Sequence, residues 1–364
     1  MTRRLYLHIG LQKTGTSYVQ GIWDASAPAL AAQGLDLALE SRREAYWLML
    51  DVRDRFRPQD PAAARAVLRD LPRRLDRLPG DRALITEESL SPADDAQVRR
   101  LLAACGDREV HVLVSARDLA RQVPSVWQQE IQSGGHRTFE RYLERLRSTE
   151  GTDAPIWWQK DLSAVLDRWT RHVSPSRVHV VTVPPSGGPR DLLLRRYCDV
   201  LGLDVDSLDL SDVGRGNRGL RLEQAEVMRR VNERIPEGLM RRDLYGNVGK
   251  RYLSVQVLGD LDGRRILMPA TQRAWCEEAA RRQVDHLVES GVDVVGDPED
   301  LLPSPESFAD DEQEVTEAQV AEAAVGGLSV ILNNGLRAGH RRSPTVPVPR
   351  WRRVVRRAGG LLGR

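Results

Sequence analysis

Leu5-Tyr6-Leu7-His8-Ile9-Gly10-Leu11-Gln12-Lys13-Thr14-Gly15-Thr16-Ser17 reads as a short buried strand, a loop with two glycines and the first residues of a helix. The helix continues with Tyr18, Ile22 and Trp23 on one side and reaches about Gln33-Gly34. Strand, glycine loop and helix in this order form a cradle for phosphate. The glycines let the backbone approach an anion, and the helix N-terminus aims free N–H groups and a partial positive charge at it. Lys13 adds a full charge, and Thr14, Thr16 and Ser17 add hydroxyl donors. The magnesium-dependent triphosphatase loop instead needs Gly-Lys-Ser/Thr at the helix start. Here the lysine precedes the second glycine and the loop is shorter, which suits a smaller, single-phosphate head group. The plainer reading is a Gly-Thr turn that only caps a helix.

Working outward, Ala83–Thr86, Val110–Val114 and Val178–Val183 are three further short apolar runs, the last ended by Pro184-Pro185. Helical patterns lie between them: 42–79, broken by Pro58, Pro61 and Pro72, then 94–104, 119–132, 139–147, 161–172 and 192–201. Strands alternating with helices predict an α/β fold, a P-loop-type three-layer α/β/α arrangement with a central parallel sheet. Beyond Gly202 the strand signal fades, and 203–296 reads as additional C-terminal helical material, with helices at 221–235 and 270–290.

The chain has 364 residues, 41% hydrophobic and 29% charged, with a net charge of +2, which excludes collagen-like, disordered and membrane-bundle classes. The charge balance gives no reason to expect a nucleic-acid partner. Cys105, Cys198 and Cys276 are too few and too far apart for a disulfide framework or a zinc site, so no metal is expected. The apolar run at Leu5–Leu11 is too short for a signal peptide, and a cytoplasmic location is expected. Of the 54 basic residues only three are lysines, Lys13, Lys160 and Lys250, so a lysine kept inside a glycine–threonine loop is notable.

After the third strand comes Arg117-Asp118-Leu119-Ala120-Arg121-Gln122-Val123-Pro124-Ser125. An arginine at the C-terminal end of a parallel strand faces the ligand crevice, and its planar donors match phosphate oxygens. Pro124 is expected to break the helix or open a new one, freeing N–H groups near Ser125. The plainer reading is that Arg117-Asp118 only starts a helix and that Arg121 is a solvated charge.

The first loop resembles the 5′-phosphosulfate loop of PAPS-dependent sulfotransferases, and is similar to the Lys-Thr-Gly-Thr-Thr run of their bacterial carbohydrate-sulfotransferase-like branch, with Ser17 in place of the last threonine. In that family an arginine and a serine eight positions apart hold the donor's 3′-phosphate, and Arg117 and Ser125 have that separation. Val181–Pro185 with Arg190-Asp191-Leu192-Leu193, and Asn217-Arg218-Gly219-Leu220, resemble further segments of the branch more loosely, Gly219 standing where a serine is usual. The resemblance covers roughly residues 4–235. It implies sulfuryl transfer from PAPS, which leaves as PAP, to a hydroxyl or amine of a carbohydrate or glycolipid-type acceptor. Gln12, Lys13, Thr14, Gly15, Thr16, Ser17, Arg117 and Ser125 would bind the donor, and Lys13 would also stabilise the leaving phosphate.

The acceptor must lose a proton, and Thr86-Glu87-Glu88-Ser89-Leu90 follows a neighbouring strand, where a carboxylate reaches the same crevice. Heparan-type relatives place a glutamate there, and a bacterial Ser-Glu-x-Leu pattern aligns with Glu87–Leu90. Glu88 is the first candidate base, Glu87 the second and His8 a rival; both glutamates equally suit a helix cap. Trp127, Trp157, Trp158 and Trp169 read as cleft or packing residues.

The chain then divides into an α/β domain over 1–296 (donor-binding core about 4–235, helical extension 203–296), an acidic linker at 297–322, a short helix at 323–336 and an Arg-rich tail at 337–364. That tail reads as a disordered solubilising segment or a peripheral contact with anionic lipid at the inner membrane face. Two other functions fit less of the sequence: a magnesium-dependent nucleotide kinase or hydrolase, and a PAP- or nucleotide-binding module without catalysis.

Overall fold

β1 (Arg4–Gly10) is buried from Leu5 to Gly10, as a strand covered on both faces must be. The computed structural model describes residues 2–211, 219–310 and 313–341. Asn217 and Arg218, and the tail from 342 onward, lie outside these residues. β2 (Leu35–Leu37), β3 (Arg82–Thr86), β4 (Glu109–Ala116) and β5 (Val178–Thr182) follow along the chain. β6 (Met268–Pro269) pairs only with β8 (Phe308–Ala309), while β7 (Asp293–Val295) joins the main sheet. The six-stranded sheet has the order β2-β3-β1-β4-β5-β7, and every pairing in it is parallel. The predicted α/β class with a central parallel sheet therefore holds. β2 and β7 carry no sequence signal, being three residues each, and β7 falls within the segment read as helical.

From β1 the sheet extends through β3 and β2 on one side and through β4, β5 and β7 on the other. The strand order reverses at β1. The C-terminal ends of β1, β3 and β4 therefore border one crevice, where ligands of open parallel sheets bind.

Alternation along the strands sorts their side chains between two cores. Leu5, Leu7, Ile9, Ile85 and Val112 pack with the helices Arg42–Val52, Val67–Arg77, Asp95–Ala104 and Leu162–Thr170. Tyr6, Leu84, Leu113 and Val181 pack with the helices Thr16–Ala25 and Leu192–Leu201 on the opposite face. A third core lies off the sheet, where the helices Leu119–Gln132, Phe139–Ser148, Leu222–Arg234 and Arg273–Glu289 meet a π-helix, Gly246–Leu258, and the long helix Glu317–Arg341. Each core holds one free, buried cysteine: Cys105, Cys198 and Cys276 respectively.

One local expectation is corrected, and one of the plainer readings does not hold. Pro124 neither breaks nor opens a helix: Leu119–Gln132 is continuous around it, capped by the Asp118 carboxylate on the Arg121 N–H. A proline removes a single N–H donor, and here the turns on either side hold. Arg121 is not a solvated charge, since its guanidinium is clamped between Asp118 and the carbonyls of Val183 and Pro184. The acidic stretch 297–322 carries short 3-10 turns and β8, and its Asp300 is buried against Arg196 and Thr182. The helix expected over 323–336 runs from Glu317 to Arg341.

Candidate functional site

The loop after β1 turns through the left-handed region three times, at Gly10 (φ +99°), Lys13 (φ +64°) and Gly15 (φ +84°). Lys13 is one of two non-glycine residues with positive φ among the described residues, and holding an L-residue there costs about 1–3 kcal/mol. Such a cost marks a loop shaped for something other than stability. Gly10 is fixed by a close approach as well: a Cβ there would lie 2.6 Å from the Glu88 carbonyl oxygen. The turn that follows β3 thus rests directly on the loop that follows β1.

Gly15 is the N-cap of the helix Thr16–Ala25, and no side chain caps it. Its first N–H groups are left without intrahelical partners and face the loop's concavity. Below the loop, a hydrogen-bonded stack fixes its shape. The Leu11 N–H donates to the Ser115 carbonyl (2.8 Å), and the Thr14 hydroxyl contacts the Leu11 carbonyl (2.6 Å) and the Ser115 hydroxyl (2.5 Å). His8 sits under these groups, with Nδ1 2.9 Å from the Thr86 hydroxyl and Nε2 2.9 Å from the Tyr197 hydroxyl. Complete burial pushes the His8 imidazole down to about 3, so it is neutral, and both its ring nitrogens are engaged. Thr14, expected to offer a hydroxyl to the ligand, instead turns it into this buried stack.

Above the loop, charges of both signs converge. The Thr16 hydroxyl donates to the Glu88 carboxylate. Burial lowers the pKa of Lys13, with the positive fields of Lys250 and Arg117 acting in the same direction and Glu88 opposing them. Lys250, from the π-helix, is lowered by burial too, again against the field of Glu88. Arg117, at the end of β4, donates from Nη1 to the Lys13 carbonyl at 3.1 Å. Its Nε is buried with no partner in the protein, and burial, then Arg121, brings its pKa down to about 10. An unpartnered buried N–H beside an open helix N-terminus fits a phosphate-bearing ligand.

Glu87 behaves differently from its neighbour. Burial, reinforced by Glu88, raises its carboxyl to about 7, although the Ser89 N–H donates to it at 3.0 Å. Gln12 reaches the Ser89 hydroxyl (3.2 Å), and its carbonyl accepts from Gln122 (2.9 Å). Ser17 is half-buried at the rim. The Ser125 hydroxyl donates to the Arg121 carbonyl within its own helix (2.9 Å). Ser125 borders a separate cavity of about 550 Å³, walled also by Gly219, Leu220, Arg221 and Arg265.

The crevice therefore gathers Lys13, Thr16, Glu88 and Arg117, and leaves Thr14 and Ser125 turned onto the protein. Sequence reading missed Lys250, although the scarcity of lysine was a usable signal. Lys160 extends the pattern. It lines a cavity of about 410 Å³ that Gln12, Glu130, Arg137, Arg145 and Gln159 also border, so all three lysines lie at or beside the loop. The tryptophans serve packing: Trp127, Trp157 and Trp169 are buried in the cores, and Trp158 stacks on Arg168 at 3.8 Å. Chemically, this site can bind an anion through backbone N–H groups, neutralise it with cations and hold a carboxylate beside it.

No protein-family model matches the chain, and no curated protein does. Among solved structures, a sulfotransferase from Alicyclobacillus acidocaldarius aligns over 80% of this chain and 98% of its own, with 12% identity and a TM-score of 0.44.

Proposed function

We propose that the protein is a sulfotransferase that moves the sulfuryl group of PAPS to a hydroxyl or amine of a carbohydrate or glycolipid-type acceptor. The observation that carries this reading is the 3.1 Å contact between the Arg117 guanidinium and the Lys13 backbone. It sets Arg117, from the segment that resembles the donor's 3′ anchor, against the loop that resembles its 5′ anchor. The uncapped helix and the free Arg117 Nε support the same reading.

In this reading PAPS supplies an activated sulfuryl group. The acceptor oxygen or nitrogen forms a bond to sulfur as the bond from sulfur to the bridging phosphate oxygen breaks; the acceptor proton goes to a carboxylate and the electron pair stays on PAP. The N–H groups of Gly15, Thr16 and Ser17 and the Lys13 ammonium face the charge that grows on that bridging oxygen. Glu88, oriented by the Thr16 hydroxyl, is the proton acceptor. His8 keeps a positioning role beneath the loop, because its buried and engaged ring has no free edge for an acceptor. The cavity that Ser125 borders receives the nucleoside 3′ side, and the cavity beside Gln12 receives the acceptor.

Calorimetric titration with PAP and with ATP, side by side, tests the donor. PAP is expected to bind at least about tenfold more tightly than ATP. Lys13→Ala and Arg117→Ala are each expected to weaken PAP by about 10- to 100-fold, since a charged hydrogen bond is worth about 1.5–3 kcal/mol. Magnesium-stimulated ATP hydrolysis, or wild-type PAP affinity in both variants, would falsify the proposal. Transfer from radiolabelled PAPS to a panel of glycans and lipids tests the reaction. Tight PAP binding with no acceptor labelled would favour a binding module instead.

A further inference from the structure

The helix Glu317–Arg341 is held to the body by the helix Leu222–Arg234 and the π-helix, with Gly326 and Gly327 allowing Leu261 and Leu258 to come close. Its other side carries Val325, Leu328, Leu332 and Leu336, which are 62–64% exposed. At 100° per residue these four fall within an arc of about 80°, a single apolar stripe. Four large aliphatic side chains this open on one helix form a contiguous patch, which marks a contact surface. Glu317 and Glu322 lie at the start of the helix, and Glu317 is tied to Arg230. From Ala323 to Arg364 the sequence contains nine arginines and no acidic residue.

We infer that the stripe Val325–Leu336 docks the protein on an anionic lipid bilayer. Aliphatic side chains enter the boundary between headgroups and acyl chains, and the excess of positive charge in the sequence from Ala323 onward favours anionic headgroups. A second copy of the chain fits the stripe less well, because two stripes face to face would bring together two segments that each carry positive charge only. Nucleic acid would use the arginines and leave the stripe exposed. This inference stands on exposure and charge alone and does not depend on the sulfotransferase reading.

Co-sedimentation of the full chain with extruded vesicles tests it. Vesicles with about 30% phosphatidylglycerol in phosphatidylcholine should retain the protein at least about tenfold more strongly than phosphatidylcholine alone, and about 0.5 M salt should weaken the binding. The triple substitution Leu328→Gln, Leu332→Gln, Leu336→Gln should lose that retention about tenfold with an unchanged circular dichroism melt. The quadruple substitution Arg352→Gln, Arg353→Gln, Arg356→Gln, Arg357→Gln, which removes four positive charges, should weaken it several-fold as well. Failure of the wild-type chain to bind either vesicle overturns the inference. So does a stripe-dependent dimer in sedimentation velocity, or binding to duplex DNA without binding to vesicles.

Discussion

Glu87 and Glu88 are adjacent in sequence and differ in surroundings. Glu88 meets the Thr16 hydroxyl and the fields of two lysines, whereas Glu87 is desolvated and raised to about 7. Glu88→Gln is expected to lower kcat by at least about 100-fold, in the range of general-base loss, while PAP affinity stays within about twofold. A single-turnover assay alongside calorimetry separates the two effects. Glu87→Gln is expected to act on stability. Between pH 4.5 and about 7 the folded chain holds a Glu87 proton that the unfolded chain has released, so stability falls as pH rises through this window. The glutamine variant removes that loss. Its thermal midpoint should exceed wild type at pH 8, by the equivalent of about 1–2 kcal/mol, and match it near pH 4.5. Equal midpoints at both pH values would refute the buried-carboxyl account. Lys13 offers a complementary test. Because burial and like charges lower its pKa, PAP binding should take up protons and weaken as pH rises through that lowered value. Titrations in buffers of different ionisation enthalpy measure that uptake.

At the scale of elements, the loop and the turn above it form one unit. Gly10→Ala would force a Cβ to 2.6 Å from the Glu88 carbonyl at a φ of +99°, so the variant should lose about 2–4 kcal/mol in urea unfolding and displace Glu88 from the loop. Much of this unit was legible beforehand. A five-residue apolar run, a glycine loop and a helical spacing place β1, the loop and the start of the next helix to within a residue or two, although the helix read to about Gln33 ends at Ala25 and a second, Ala27–Ala32, follows Ser26. The arginine after β4 and the glutamates after β3 are positioned by the same logic, since residues just past parallel strands share an edge of the sheet. What escaped detection was three-dimensional. Thr14 and Ser17 look alike as hydroxyls in a loop, and only the backbone path sends the first into the buried stack and leaves the second at the rim. Lys250 belongs to a π-helix, whose wider turn has no clear period in a Gly- and Arg-containing stretch. β2 and β7 take their strand form from the neighbour they pair with, not from three residues of their own.

At the scale of the whole molecule, the segment after β7 is fastened to the sheet through one buried ion pair. Arg196 and Asp300 are each about a tenth exposed, and the Thr182 hydroxyl adds a hydrogen bond at 2.8 Å. Asp300→Ala leaves Arg196 without its counter-charge and should cost about 3–5 kcal/mol, measured by urea denaturation, with PAP affinity preserved at temperatures where the variant is folded. A loss of PAP binding ahead of unfolding would show that this end of the chain also shapes the crevice.

The cysteines give each core its own chemical clock. Burial pushes all three thiols to about 12, so an alkylating reagent at neutral pH meets almost no thiolate until a layer opens. Pulsed alkylation with mass spectrometry therefore times three separate events in one experiment: release of the sheet's two faces at Cys105 and Cys198, and parting of the outer helices at Cys276. Ligand added during such a pulse would slow the layers it clamps and leave the others at their own pace.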